Sequence, residues 1–371
     1  MKDYIKKYYL ESICLVVIII FSLINMLKAH LLNESYSDYL IKQSIWYIVG
    51  IILFIYIHKI KFKKIFKYRY IMYLINILLL IYVLLFSKST NGIKAWIKIG
   101  PISLQPSELI KITFPLCVIK PIKEKRYLFS FIIFIIPSLL ILLEPDTGNM
   151  VLLLFLYLYL LFNKNTKKYI IILLLLITTM LVTFVLIYKY YPKLIIDLFN
   201  GAFYYRFKRI FSIKNNYQIS NALIGIGSAS LLPIGINKLL IYIPEGITDF
   251  ILTFSICNYG ILLNMFLILS YIVFITKMLY HYKKGLYYLK KKIIGSFIVI
   301  FIVQSIYNIF MNIGLVPIMG IPLPFLSYGG SNIITYFILF ALATKKISSI
   351  EDKDNNNYKN NYHKVLVGKH N

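Results

Sequence analysis

The chain is a succession of long apolar runs separated by short polar ones, and apolar runs of about 18 to 25 residues have the length of a bilayer-crossing helix. Runs near 10–29, 41–58, 69–87, 107–122, 128–143, 147–163, 168–190, 249–277, 292–312 and 331–345 predict ten membrane helices. The fold class expected is therefore all-α and polytopic, with one integral domain over 1–347. A tail over 348–371, rich in Asp, Lys, Asn and Tyr, offers too little apolar surface to offset its ordering entropy and is expected to be disordered. No internal repeat of the inverted transporter kind is visible.

Composition agrees with the pattern: 59% of the 371 residues are hydrophobic, and the mean hydropathy is +0.75. Lys and Arg number 41 against 14 acids, a net charge of +27. Lys, Ile, Asn and Tyr are over-used everywhere, as an AT-rich coding sequence would give, so the charge does not point to nucleic acid. Its placement is more telling. Alternate connections carry the lysines: Lys2, Lys6 and Lys7; Lys59 to Arg69; Lys120 to Arg126; Lys164 to Lys168; Lys277 to Lys292; Lys345 and Lys346. By the positive-inside rule these face the cytoplasm, together with both termini. The other connections then face outward: Glu34 with Asp38, 88–106, Glu144 with Asp146, 191–248 and 313–330. The first apolar run continues past any small-residue cleavage site, so no cleavable signal peptide is expected. Cys14, Cys117 and Cys257 have neither disulfide nor metal spacing and read as small buried hydrophobes.

Four outward segments carry candidate chemistry. In Trp96 to Lys111, Pro106 suits a first helical turn and Ser107 its cap, which puts Glu108 at the positive dipole end with Lys111 on the same face. An interfacial Trp anchor and an ordinary capped start explain Trp96 and Pro106 but not the charged pair. Glu144-Pro145-Asp146-Thr147-Gly148 is first of all a turn, whose two carboxylates could also bind a cation or position a lysine. The connection 191–248 is far longer than usual loops and carries Arg206, Lys208 and Arg209 ahead of a Gly/Ser stretch. Such arginines suit phosphate oxygens, although a solvated basic face is the plainer reading. The same connection ends in Pro244 to Asp249. If Pro244 opens a helix, Glu245 and Asp249 share a face; capping accounts for Glu245 but leaves Asp249, a turn further in, as an expensive charge at the hydrocarbon edge. Finally, Pro317 to Asn332 is too rich in Pro and Gly for a helix and too apolar for a water-exposed loop. It reads as a re-entrant lining element.

Together these segments resemble the SEDS family of shape, elongation, division and sporulation proteins: RodA, FtsW and SpoVE. The residues that carry the likeness are Gln105-Pro106-Ser107-Glu108 with upstream Trp96, Pro145-Asp146-x-Gly148, Pro244-Glu245-x-x-Thr248-Asp249-Phe250, and Pro322-Leu323-Pro324-Phe325-x-Ser327-Tyr328-Gly329-Gly330-Ser331. The likeness spans about residues 10–345, and the chain length with the Gly320-to-Phe325 run tilts it to the RodA-like branch. It implies a ten-helix peptidoglycan glycosyltransferase polymerising lipid II, an undecaprenyl-diphosphate-linked precursor, on the outer face of the cytoplasmic membrane with a class B penicillin-binding protein. It places Asp249 on the essential aspartate, Trp96 on an important tryptophan, and Glu108, Lys111 and Asp146 on signature positions. Ala95 stands where Arg is usual, Glu144 where Gln is common, and Cys257-Asn258 replaces a Glu-Glu pair.

The chemistry so implied needs a base near a sugar hydroxyl and positive charge near a diphosphate. Asp249 is the candidate base. Arg206, Lys208, Arg209 or Lys111 are candidates for the charge, with or without a divalent cation such as Mg or Mn. Trp96, Glu108, Glu245 and Ser327 are further candidate substrate contacts, and Gln105, Asp146, Pro324, Gly329 and Gly330 candidate supports. Two rival readings are a flippase for a lipid-linked precursor and a non-catalytic scaffold for the penicillin-binding protein.

Overall fold

A computed structural model describes residues 7–32, 37–87, 95–100, 102–162, 171, 190–191, 193, 196, 216–233, 242–285 and 287–347. Among these, the elements in chain order are α1 (Tyr9–Leu32), α2 (Ser37–Lys59), α3 (Phe62–Lys67), α4 (Arg69–Phe86), β1 (Ile97–Ile99), β2 (Ile102–Leu104), α5 (Pro106–Lys123), α6 (Tyr127–Leu143), α7 (Thr147–Leu161), α8 (Tyr217–Gly227), α9 (Ile251–Lys284), α10 (Tyr288–Asn312) and α11 (Gly330–Thr344). Nine of the ten expected spans coincide with helices. Most of the span read over 168–190 lies outside the described residues, as do Arg206, Lys208, Arg209 and the tail 348–371. The short helices α3 and α8 and the β1–β2 hairpin, which pairs Ile97 with Leu104, were not expected.

The protein is a multi-pass membrane protein. Helices α1, α2, α4, α9 and α10 are long and apolar enough to cross a bilayer, and α6, α7 and α11 are shorter apolar helices. Helix α2 leaves Ile41, Ile45, Ile48 and Ile52 exposed along one stripe, a face suited to lipid and costly in water. Helix α5 is the opposite case: 15 of its 18 residues are buried, so it forms the bundle centre and can carry charge without meeting lipid. Beside it, Phe274, Phe297, Phe301, Tyr336 and Phe340 from α9, α10 and α11 interlock, with Phe274 and Phe301 centroids 5.0 Å apart.

One end of the bundle is closed by lysines. Lys345 donates to the carbonyls of Ile57 and His58 at the end of α2, Lys290 to Ala343 and Lys345 at the end of α11, and Lys292 to Tyr159, Leu160 and Phe162 at the end of α7. Three helix C-termini, each with unpaired carbonyls and negative dipole ends, are thus neutralised on one side.

Helix α9 is not continuous. Gly260 has a left-handed φ of 77°, and the freed N–H groups of Ile261 and Leu262 donate to the carbonyls of Ser230 and Leu231 at 3.0 and 3.2 Å. A Cβ on Gly260 would lie 2.7 Å from the carbonyl oxygens of Leu231 and Leu232, so this close approach needs glycine.

Candidate active site

Helices α5, α7, α9 and α11 all begin on the side opposite the lysine collar, and their first residues meet. At α5, Pro106 occupies the first helical position, where its missing N–H is no loss, and Gln105 is the N-cap. This corrects the expectation that Ser107 caps the helix. Ser107 is buried in the first turn, and its hydroxyl donates to Asp146 Oδ2 at 2.8 Å.

Asp146 is the N-cap of α7. Its carboxylate accepts from the Asn149 N–H (3.1 Å), Asn149 Nδ2 (2.9 Å), Gln105 Nε2 (2.8 Å) and Ser107. Those four donors fix the α5 start to the α7 start, and none is a cation. The neighbouring Glu144 is fully buried, and neither of its carboxyl oxygens has a hydrogen-bond partner among the described residues. Burial, and then the charge of Asp146, push its pKa up to about 9, so it holds a proton at neutral pH. Among the described residues no three His, Cys, Asp or Glu side chains come together to hold a metal ion.

Glu108 and Lys111 form an ion pair, with Nζ 2.8 Å from each carboxylate oxygen and side chains only 3% and 1% exposed. Gln304 of α10 extends this pair. Its Oε1 accepts from Lys111 Nζ (3.4 Å) and the Tyr336 hydroxyl (2.7 Å), while its Nε2 donates to the Pro322 carbonyl (2.7 Å) and Asn332 Oδ1 (3.2 Å). Lys111 is thus corrected as an open source of positive charge: it is spent inside the bundle on Glu108.

Of the stretch expected to be non-helical, Pro317–Asn332, residues 317–329 are so, whereas Gly330–Asn332 already form the first turn of α11; side chains from the surrounding helices bond the backbone of the non-helical part. The carbonyls of Ile321, Phe325, Leu326 and Ser327 accept from Asn308, Tyr47, Ser22 and Gln43, and that of Pro324 accepts from the Tyr271 hydroxyl. Such a segment persists at membrane depth only if its polar groups are paired in this way. Phe325 adopts φ 60°, a strained conformation for a bulky residue. Its fully buried ring, packed between Phe301, Tyr336 and Phe337, holds it there. Gly329 is the N-cap of α11, and its N–H faces Gln43 Oε1 at 3.4 Å. Gly330 lies so close to Trp46 that an added Cβ would be 2.2 Å from the ring.

The stretch leading to Asp249 departs from expectation. Residues 244–250 form successive turns and not a helix opened by Pro244; Glu245 has φ 54°, and α9 begins at Ile251. Glu245 and Asp249 therefore do not share a helical face. Glu245 is exposed, and its carboxylate accepts from the Thr248 hydroxyl at 2.8 Å. Asp249 is partly exposed. Its backbone carbonyl accepts from Asn308 Nδ2 (2.8 Å) and Asn312 Nδ2 (3.1 Å), and its carboxylate lies beside Gly320, 3.9 Å from where a Cβ would stand.

The blocks that carried the sequence signal are stitched together. Ser327 Oγ donates to the Thr248 carbonyl (2.6 Å), and the Tyr328 N–H donates to that of Ile247 (2.9 Å). Gln105 N–H donates to Ser331 Oγ (2.9 Å), and a Cβ on Gly148 would meet the Met319 carbonyl at 2.6 Å. Met319–Ile321 thus lies between the α7 start and Asp249. Trp96 is half-buried just ahead of the hairpin, and Ala95 is buried. Cys257 faces Gly225 of α8 and Asn258 donates to the Phe254 carbonyl, so both replaced positions serve packing and the helix itself. Sequence reading missed Gln304, Asn308 and Asn312. Their signal was present as amides four apart on an otherwise apolar helix, a polar stripe that must face protein.

The family model for FtsW, RodA and SpoVE, described as a cell cycle protein, matches residues 5–351. The chain belongs to the FtsW/RodA/SpoVE family. Among relatives, a probable peptidoglycan glycosyltransferase FtsW from Wigglesworthia glossinidia brevipalpis is 32% identical over 92% of each chain. A peptidoglycan glycosyltransferase MrdB from Helicobacter pylori is 30% identical over 84% of each. In fold, the protein resembles a chain of a peptidoglycan synthase complex, with a TM-score of 0.71, 18% identity and coverage of 90% of this chain and 95% of that one. It also resembles the rod shape determining protein RodA of Thermus thermophilus, with a TM-score of 0.65, 19% identity and coverage of 91% and 95%. The four stitched blocks are thus a feature of an FtsW/RodA/SpoVE chain, and both the division and the shape branches appear among its relatives.

Proposed function

We propose that this FtsW/RodA/SpoVE chain is a peptidoglycan glycosyltransferase that polymerises lipid II at the outer face of the cytoplasmic membrane, in cell elongation or division, with Asp249 as general base. The observation that carries the reading is the placement of Asp249. It stands partly exposed at the mouth shared by the starts of α5, α7, α9 and α11, with its backbone fixed by amides of α10. The lysine asymmetry supports a cytoplasmic collar and an outward-facing mouth.

In the reaction, Asp249 accepts the proton of a GlcNAc 4-OH as that oxygen bonds to the anomeric carbon of a second lipid-linked sugar. The bond from that carbon to undecaprenyl diphosphate breaks, and the diphosphate leaves with the electron pair, so no second carboxylic acid is required. With Lys111 committed to Glu108, charge for the diphosphate falls to the helix N-termini at the mouth and to Arg206, Lys208 and Arg209 of the long connection. Trp96 and Glu245, at the rim, are proposed substrate contacts. Ser327 acts through the Thr248 carbonyl that it holds. A class B penicillin-binding protein is the proposed partner, consistent with the resemblance to a chain of a peptidoglycan synthase complex.

The test is incubation of the purified chain in detergent with lipid II, alone and with a cognate class B penicillin-binding protein, followed by gel separation of glycan products. Polymer is expected. Its absence in both reactions would overturn the enzymatic reading in favour of a transporter or scaffold, since transport leaves no product without a bilayer.

A further inference from the structure

The strongest unassigned feature is the way α9 fails to extend to Asp249. In a continuous helix the Asp249 carbonyl would accept from the N–H of Thr253, four residues on. Here the two are parted by a side chain from another helix. Asn312 Oδ1 accepts from both the N–H and the hydroxyl of Thr253, at 3.0 and 2.7 Å, while Asn312 Nδ2 donates to the Asp249 carbonyl at 3.1 Å. One amide thus stands inside what would be the first hydrogen bond of α9.

Asn308, one turn back on α10, completes the arrangement. Its Nδ2 donates at 2.8 Å both to the Asp249 carbonyl and to the Ile321 carbonyl, and its Oδ1 accepts from Asn312 at 3.1 Å. Both asparagines are fully buried, and the Asp249 carbonyl has two donors. The rotation of Asp249 is therefore set from α10 and is tied to the segment that carries Gly320.

We propose that Asn308 and Asn312 are positioning residues that hold Asp249 out of helix α9 and so aim its carboxylate at the mouth. The proposal rests on the glycosyltransferase reading for its kinetic consequence and on geometry for its structural one. Without the Asn312 amide, the Asp249 carbonyl and the Thr253 N–H can satisfy each other. The helix then winds back over Asp249, turning its side chain by about 100° for each residue added. Asn312→Leu should therefore leave no stranded pair in α9 while misaiming the carboxylate.

The expected result for Asn312→Leu is a kcat for glycan synthesis lowered by about 10- to 100-fold, as for a misplaced catalytic group, with KM changed less than about threefold. The unfolding temperature should stay within about 4 °C of the parent. Asn308→Leu should lower kcat as well, but with a larger stability loss, because the Ile321 carbonyl is then left unpaired. A readout independent of activity uses Asp249→Cys, in a chain whose three natural cysteines are buried. Adding Asn312→Leu should slow labelling of that thiol by a water-soluble maleimide by about fivefold or more, since access governs the rate. Unchanged labelling, or a kcat that falls only in step with unfolding temperature, overturns the proposal. If the parent chain makes no glycan, the functional reading fails on its own, and the labelling ratio still decides the positioning claim.

Discussion

Asp146 and Asp249 are both aspartates just ahead of a helix on the same side of the bundle, yet the protein treats them in opposite ways. Asp146 is held by its carboxylate: four donors surround it, and it serves as the N-cap of α7. Asp249 is fixed through its backbone: two asparagine amides of α10 take its carbonyl, and its carboxylate lies beside Gly320 on a partly exposed residue. A carboxylate whose lone pairs are taken by four donors serves as a joint between helix starts. Proton transfer, the role proposed for Asp249, calls instead for a fixed main chain beneath a side chain that substrate can reach. Spacing alone makes the two look alike, so the difference lies in which atoms the neighbours grip.

The largest expected stability effect sharpens the structural side of this contrast. Lys111→Met should destabilise the protein by about 3–5 kcal/mol, because Glu108 is then left charged and buried. Combining it with Glu108→Gln should recover much of that loss, as measured by unfolding in detergent. Asp146→Asn comes next, at about 1–3 kcal/mol, since an amide cannot accept from every donor that the carboxylate satisfies. Activity should fall only in step with stability. If Asp146→Asn abolished glycan synthesis in a chain as stable as the parent, the division between joint and base would break.

Glu144→Gln should have the smallest effect, below about 1 kcal/mol near neutral pH, because an amide replaces a carboxyl that is already uncharged. Its pH dependence is more informative. The folded chain keeps the Glu144 proton up to about 9, whereas the unfolded chain releases it near 4.5. The folded state therefore binds more protons in that window, so this group's contribution to stability falls as pH rises from about 4.5 and is lost through about 9. The Gln variant should lack that decline. Matching pH–stability curves for the two chains would contradict the protonated state.

The membrane helices were legible in the sequence because bilayer length and lysine asymmetry are one-dimensional signals. The helix starts at 106 and 147 fell within a residue or two of expectation, since Pro106 and the Pro145–Gly148 turn punctuate the chain locally. The turns over 244–250 were not legible. Pro244, with carboxylates four apart, suggests a helix start locally, but the carbonyl of Asp249 and the N–H of Thr253 are taken by Asn312, some sixty residues away. Lys111 illustrates the same limit. Its neighbours in sequence suggest a charge near the mouth, but the burial of α5 at the bundle centre turns it inward to Glu108. The α10 amides went unread because each, taken singly, looks like an isolated polar residue in an apolar helix.

The central claim is that Asp249, and not Asp146, moves the proton. The most direct measurement compares glycan synthesis from lipid II by the parent chain and by purified Asp249→Asn of matched unfolding temperature, under conditions where the parent is active. The rate for Asp249→Asn is expected to be lower by at least about 10²-fold, the contribution of a positioned base, with the fold unchanged. Glycan strands made by Asp249→Asn at the parent rate would contradict that claim.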